Sequence, residues 1–395
     1  MTPPPHPAED PGAPALRRRL LRGNLVHNLI VAAGWLGAVP VALFVPVALA
    51  PTAATAWLFS SPALAAAILG GATLADAALL WALPRLGRSF GPVQGPLAVF
   101  TLGRHALSVP LAALPVGWAL PALAALHAAL FGLSLWGHLV APFRVSVERV
   151  RLPVLPRDVT PALRLVFLSD LHMERMTARE RWVQREVDRL APDLVLFGGD
   201  VLNLSYVEDP RAQADAVRFF EALAAAHPLV AVLGNPTVED RQYVLPLWRA
   251  VGVAPLRSEV RRVSVRGVEL AIFGVSTTWD PDDDAERLRR LVEETPLPAD
   301  TVRLLLYHMP DLVDRVAGFH VYLCGHTHGG QIRLPLLGPL LTATRAPRRY
   351  AAGTHRVGET WVHTGRGLGL EGMGAPRVRF WCPPELTLLE LTGPR

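Results

Sequence analysis

From Leu29 to Ala50 the chain reads LIVAAGWLGAVPVALFVPVALA, without a single charge. About 20 apolar residues in a helix cross the hydrocarbon of a bilayer, and only helices and closed barrels satisfy their backbone there. Three further apolar segments follow: Trp57–Leu83, interrupted by Asp76, then Pro96–Leu114 and Trp118–Val140, divided near Pro115–Gly117. The expectation is four transmembrane helices over residues 25–143, after a disordered, Pro-rich and basic start over 1–24. A secretory signal cleaved after Ala50 is the rival reading, but the run exceeds the roughly 7–15 apolar residues of a signal. The third span contains Arg104 and His105, which are costly in lipid. Asp76 is a natural partner for them, and a re-entrant or tilted segment is the alternative.

Arginine placement gives an orientation. All 39 Lys+Arg residues are arginine, and the net charge of +5 is too modest to suggest a nucleic-acid partner. Arg17–Arg22 precede the first span, Arg85 and Arg88 follow the second, and Arg144, Arg149 and Arg151 follow the fourth. The loops at Pro51–Ala56 and Pro115–Gly117 carry no charge. By the positive-inside rule these basic ends are cytoplasmic. That points to a multi-pass inner-membrane protein with a cytoplasmic domain over 151–395.

From Arg151 the texture changes to short apolar runs separated by amphipathic stretches, the pattern of an α/β fold. Strands are expected at Leu163–Leu168, Leu194–Phe197, Leu229–Leu233, Val302–Tyr307 and Val321–Cys324. Helices are expected at Thr177–Leu190 and Arg211–Ala226, and a hairpin across Arg266-Gly267. The two cysteines, Cys324 and Cys382, make neither a disulfide framework nor a thiolate metal site. Both read as small buried residues.

The ends of these strands carry the chemistry. The first runs into Asp170 and His172, the second into Gly199-Asp200, the third into Gly234-Asn235. The fourth ends at His308, and the fifth in the stretch GHTHGGQ with His326 and His328. Open α/β sheets bind ligands at this carboxyl edge. Two Asp, one Asn and four His, with no thiolate, suit two divalent ions of the Mn, Fe or Zn kind. Taken singly, DLH reads as a turn and GGD carries little more, whereas GHTHGGQ is stronger, since two imidazoles two residues apart among glycines have little structural purpose. The bland reading of the whole set is N-caps and turn residues on an ordinary sheet.

Together SDLHM, GGDVLN, LGN, YHMPD, CGHTHGGQ and GRGLG before RFWCPPELTLLEL resemble the calcineurin-like metallophosphoesterases, in particular their membrane-anchored bacterial branch, over roughly Leu163–Leu391. The resemblance implies a sandwich of two sheets flanked by helices, with a two-metal centre at the strand ends. It implies that Asp170, His172 and His328 hold one metal and that Asn235, His308 and His326 hold the other. Asp200 would bridge them, and Asp200, Asn235 and His326 would serve catalysis. Two cations sharing a hydroxide can attack a phosphoester in line.

Two positions depart from the family pattern. Pro236 stands where a histidine usually protonates the leaving group. Asn203 stands where an aspartate usually pairs with that histidine. General acid catalysis contributes roughly 10²–10⁴-fold, so its loss restricts the substrate range. Arg366 is a candidate phosphate-binding residue. Arg345, Arg348 and Arg349 read as solvated surface, His363 as a packed strand histidine, and Asp280–Glu286 as a loop entering a helix N-terminus. The functional expectation is a membrane-bound phosphoesterase cutting a phosphodiester or diphosphate linkage, in a lipid-linked substrate. The alternative is a catalytically weakened metal-binding protein with a partner or sensor role.

Overall fold

The computed structural model describes residues 41–155, 160–236, 241–370 and 376–393, with 33, 36, 39, 239 and 374 besides. The expected disordered start and most of residues 29–40 lie outside these. The described chain divides into two compact units. One holds the residues up to Ala77 and Pro92–His127; the other holds Ala78–Gly91, residues 128–370 and those from Arg377 on.

Helices α1 (Val41–Ala56), α2 (Pro62–Ala82), α3 (Gln94–Ser108) and α4 (Val116–Leu135) account for the apolar half of the sequence. Among the described residues, two helical runs are long and apolar enough to cross a membrane, Pro62–Ala82 and Val116–Phe143. The expected third span differs: α3 is 15 residues long and gives way to a 3₁₀ turn at Val109–Ala113. Pro110, which has no N–H to give, stands at the start of that turn, and the polar residues of α3 are paired within the helix cluster. Arg104 Nη2 donates to Asp76 Oδ1 at 2.8 Å, with Nε 2.6 Å from Oδ2, and both side chains are buried. Arg104 Nη1 donates to His127 O at 3.3 Å, and Ser108 joins Arg104 O at 2.7 Å to His127 Nε2 at 3.0 Å. Buried charge in an apolar setting persists when paired in this way. The network therefore ties α2, α3 and α4 together through their polar positions.

The second unit is built on two sheets. In chain order the strands are β1 (Ser146–Pro153), β2 (Leu163–Leu168), β3 (Leu194–Phe197), β4 (Leu229–Ala231), β5 (Glu259–Val265), β6 (Val268–Val275), β7 (Val302–Tyr307), β8 (Val321–Cys324), a small ribbon β9 (Arg333–Leu334) with β10 (Gly338–Pro339), then β11 (Gly353–Val357), β12 (Thr360–Thr364) and β13 (Glu385–Thr392). One sheet has the order β1-β13-β2-β3-β4, the other β11-β12-β8-β7-β6-β5. β2, β3 and β4 run parallel, as do β6, β7 and β8. Their carboxyl ends therefore gather at one edge of each sheet.

Alternation along the strands makes the sandwich. Leu163, Leu165 and Phe167 of β2 pack with Leu194 and Leu196 of β3 against Leu270, Ile272, Leu304, Leu306 and Leu323 of the opposite sheet. The intervening Val166, Leu168, Val195 and Phe197 face outward to Val183, Phe219, Phe220 and Trp248. These come from helices α5 (Ala178–Leu190), α6 (Pro210–Ala226) and α7 (Arg241–Val251). Both faces are covered, which is why the strands read as unbroken apolar runs rather than alternating ones. On the other side, Phe273, Leu305 and Tyr322 pack with Leu288 of α8 (Pro281–Glu293).

Local signals set the helix ends. Thr177 and Glu180 form a reciprocal capping box on α5. Asp209 and Asp280 cap α6 and α8 ahead of Pro210 and Pro281, so the acidic run at Asp280 is the helix start that the sequence suggested. β4 stops at Ala231, two residues short of expectation, because the chain leaves the sheet to deliver Asn235. β1 begins at Ser146, ahead of the Arg151 boundary, and lies beside β13 from Ser146↔Glu385 onward.

Candidate metal centre

The loops after β2, β3, β4, β7 and β8 bring the sequence-named residues together. Asp170, His172 and His328 form one group and Asp200, His308 and His326 another; within each, potential ligand atoms lie within 4.8 Å of one another, all buried. His172 Nε2 is 3.0 Å from His328 Nε2, and His328 Nε2 is 3.9 Å from Asp170 Oδ1. Asp200 Oδ2 faces both groups, 3.5 Å from His172 Nε2 and 3.3 Å from His308 Nε2. Asn235 joins here too, its backbone N–H donating to Asp200 Oδ1 at 2.8 Å and its amide to Oδ2 at 2.7 Å.

The backbone is bent to achieve this. Asp170, His172, Asp200, His326 and His328 all have positive φ, between 42° and 68°. L-residues adopt this region at a cost, and such strain concentrates at functional sites. Glycines make room for the carboxylates. A Cβ on Gly234 would stand 2.0 Å from Asp200 Oδ1, and one on Gly325 would stand 2.3 Å from Asp170 Oδ2. Gly325→Ala is therefore expected to displace Asp170 while leaving the fold in place. It should lose about one of two equivalents of tightly bound divalent metal, read by elemental analysis of the purified protein. Unchanged metal content would show that Asp170 is no ligand.

Hydrogen bonds orient the imidazoles. His308 Nδ1 is 2.8 Å from Gly198 O, and His326 Nε2 is 3.0 Å from Ala343 O. A carbonyl only accepts, so each of these nitrogens carries the proton. Their other ring nitrogens, His308 Nε2 and His326 Nδ1, are buried without a hydrogen-bond partner, as is His172 Nδ1. An imidazole fixed by one ring N–H, with its second nitrogen turned away from other donors, is the arrangement a metal-ligating histidine takes once it is neutral. The spacing also fits. Ligand bonds of about 2.0–2.1 Å place tetrahedral neighbours about 3.4 Å apart, close to the separations around Asp200.

The charges interlock. Burial raises the Asp200 carboxyl, but the His308 charge and hydrogen bond outweigh it and bring it down to about 2. Burial likewise opposes a charge on His308, yet Asp200 and Asp170 hold it protonated up to about 10. Burial, then neighbouring imidazoles, lowers His326 and His328, keeping both neutral.

Other named residues stand elsewhere. Arg366, expected at phosphate, ion-pairs with Glu385 Oε2 at 3.1 Å and donates to Ser146 Oγ at 2.9 Å and Pro383 O at 3.1 Å. None of these contacts is to a donor residue of the two groups. His363 is a packed strand residue, bonded to Thr354, Glu385 and Thr387. Asn203 donates to Leu370 O at 3.0 Å and accepts from Ser205 N–H at 2.9 Å, so both ends of its amide serve a turn. Both cysteines are free and buried, and burial pushes the Cys324 thiol up to about 12.

Two supports escaped the sequence reading. Glu239 accepts from Val201 N–H at 2.7 Å and Gly234 N–H at 2.5 Å, tying the Asp200 loop to the Asn235 loop. Burial first, and Asp200 second, raises its carboxyl to about 8. Arg379, fully buried, donates to His328 O at 3.0 Å, Arg366 O at 2.8 Å and Gly369 O at 2.6 Å. Glu239 lies outside the motifs and Arg379 opens RFWCPPELTLLEL, but only the folded environment shows what either side chain holds.

Comparison with known proteins agrees with this geometry. The calcineurin-like phosphoesterase family model matches residues 163–330. Phosphodiesterase YaeI of Escherichia coli is 30% identical over 267 residues, covering 64% of this chain and 91% of the relative. The metallophosphoesterase YkuE of Bacillus subtilis is 27% identical over 240 residues, covering 58% and 78%. UDP-2,3-diacylglucosamine pyrophosphatase LpxG of Chlamydia trachomatis is 24% identical over 314 residues, covering 64% and 91%. The chain belongs to the calcineurin-like phosphoesterases. It is a metal-dependent phosphoric ester hydrolase with two potential metal-binding sites.

Proposed function

We propose a membrane-bound, dinuclear phosphoesterase that hydrolyses a phosphodiester or diphosphate linkage in a lipid-linked substrate. One observation carries the dinuclear reading: a single carboxylate oxygen, Asp200 Oδ2, faces a histidine of each donor group. Asp170, His172 and His328 would hold one divalent ion, and Asn235, His308 and His326 the other. Asp200 would bridge them, and Mn, Fe or Zn suits this set of nitrogen and oxygen donors. Bound metals would supply a water acidified to a nucleophile and a clamp on the phosphoryl oxygens. The chain's own residues set the ligand geometry, with nitrogen and oxygen donors alone. Within the set, Asp200, Asn235 and His326 would serve catalysis.

The lipid reading has two supports. Two helical runs have the length and hydropathy of membrane spans. A relative bears the name of a pyrophosphatase for a diacylated sugar nucleotide. By the arginine asymmetry, the catalytic domain over 151–395 faces the cytoplasm, after a membrane region over 25–143. The test is purified protein with Mn²⁺, assayed on bis-4-nitrophenyl phosphate and on a membrane-lipid extract followed by mass spectrometry. Turnover of neither would overturn the catalytic reading and leave the metal-binding alternative.

Metal binding should be coupled to protons. His308 is held protonated to about 10 by Asp200 in the metal-free protein, and a ligand must be neutral. Uptake of the second metal between pH 7 and 9 should therefore release a proton, and affinity should rise with pH towards 10. Calorimetric titration in buffers of different ionisation enthalpy reads this directly. Affinity independent of pH across that window would place His308 outside the ligand set.

A further inference from the structure

A small cavity opens beside His172, lined also by Arg88, Ser89, His138, Pro142, Phe143, Glu174, Arg179 and Leu370. Its volume of about 10 Å³ has room for one water or one phosphoryl oxygen. Three arginines border or approach it, and two are neutralised. Arg179 pairs with Glu180 at 2.6 Å, and the buried Arg377 pairs with Glu174, whose carboxylate also accepts from Ser89 Oγ at 3.1 Å and Phe90 N–H at 2.7 Å. Arg88 differs. Its guanidinium lies 4.0 Å above the Phe143 ring and has no carboxylate partner among the described residues. Arg179 approaches the same ring at 6.0 Å. An aromatic face positions a guanidinium without consuming its fork of N–H donors. The surplus positive charge of the cavity is therefore Arg88, with its donors free for an anion.

We infer that Arg88 and the cavity beside His172 form a subsite for a second phosphoryl group, the neighbour of the one held at the metal centre. This deepens the proposed function and rests on it: among the linkages named there, it selects the diphosphate. A simple diester has no second phosphoryl to offer. Arg88 follows α2 by a few residues, and Phe143 closes the apolar run Val116–Phe143. The segments that follow the apolar helices thus supply Arg88 and Phe143, while His172 of the SDLHM motif lines the same cavity. The recognised chemistry is the phosphoryl anion, whether carried by a lipid or by a soluble diphosphate.

The test uses the full-length protein in detergent with Arg88→Gln and Arg88→Lys. Three substrates are compared: bis-4-nitrophenyl phosphate, UDP-glucose and CDP-dioleoylglycerol. In Arg88→Gln the ratio of kcat/KM for either diphosphate to that for the aryl diester should fall about 10–100-fold, the usual scale for a lost hydrogen bond to a charged group. Arg88→Lys should recover part of it. Calorimetry adds a readout without turnover: methylenediphosphonate should bind Arg88→Gln at least about tenfold more weakly, with inorganic phosphate affected far less. An unchanged ratio, or equal weakening of both anions, would overturn the subsite. So would a fall confined to CDP-dioleoylglycerol, since Arg88 would then be reading lipid and not phosphate. If the wild type hydrolyses no phosphoester, the proposed function fails, while the diphosphonate titration still decides the role of Arg88.

Discussion

Asp200→Asn is expected to strip both metals, weakening divalent binding by more than about 100-fold, beyond the 10–100-fold typical of an outer support. Asp200 Oδ2 faces His172 at 3.5 Å and His308 at 3.3 Å, while both its oxygens accept from Asn235. An asparagine offers one oxygen and one NH₂. Either way round, the NH₂ meets an N–H of Asn235 or replaces the oxygen shared between the two groups. Hydrolysis should fall with the metals. His363→Gln is the control, because His363 bonds to Thr354, Glu385 and Thr387 and to no donor residue. Elemental analysis of both variants decides it: wild-type metal content in Asp200→Asn would remove the bridge from the mechanism.

The second large effect concerns leaving groups. With Pro236 after Asn235, no side chain there can protonate the departing oxygen. Basic alkoxides should leave slowly, and aryloxides or phosphates readily. Across a series of phosphodiesters the wild-type rate should fall steeply as leaving-group pKa rises. Pro236→His should flatten that slope by accelerating the poorest leaving groups up to about 100-fold, the lower end of general acid catalysis. Restoring the partner carboxylate is a separate matter. Asn203 donates to Leu370 O at 3.0 Å, so Asn203→Asp sets an oxygen against a carbonyl and should cost about 1–3 kcal/mol unless protonated. A flat wild-type slope would mean that another group already donates the proton.

Much of the site was legible because its physics is local. Short apolar runs followed by Asp, His or Asn marked both the strands and what they deliver; β2, β3, β7 and β8 lie where the runs lie. What sequence could not supply was the partner of each charge. Arg366 carries the same formal charge as Arg88, yet Glu385 engages the first, while the guanidinium of the second lies over an aromatic ring with no carboxylate partner among the described residues. Glu239, outside the motifs, and Arg379, the first residue of RFWCPPELTLLEL, had no legible role, because each depends on backbone groups brought close by the fold. The apolar segments were legible as composition. The length of α3 was not, since the expected span ran on through Pro110, where the helix gives way to a 3₁₀ turn.

The sheet order β1-β13-β2 has a consequence for biosynthesis. β1 lies beside β13 from Ser146↔Glu385 to Pro153↔Thr392, and β13 is also the antiparallel neighbour of β2. Strands β1 and β2 thus wait for one translated long after them. At about 5–20 residues per second, the interval is on the order of 10–50 s. Through that time β1 and one edge of β2 are unpaired strands on a nascent chain, the kind of edge that invites aggregation. A ribosome stalled before Glu385 would hold a chain whose metal-site loops are largely synthesised but whose first sheet is still split in two. Quality control acting on such a chain would meet exposed strand edges rather than an absent active site.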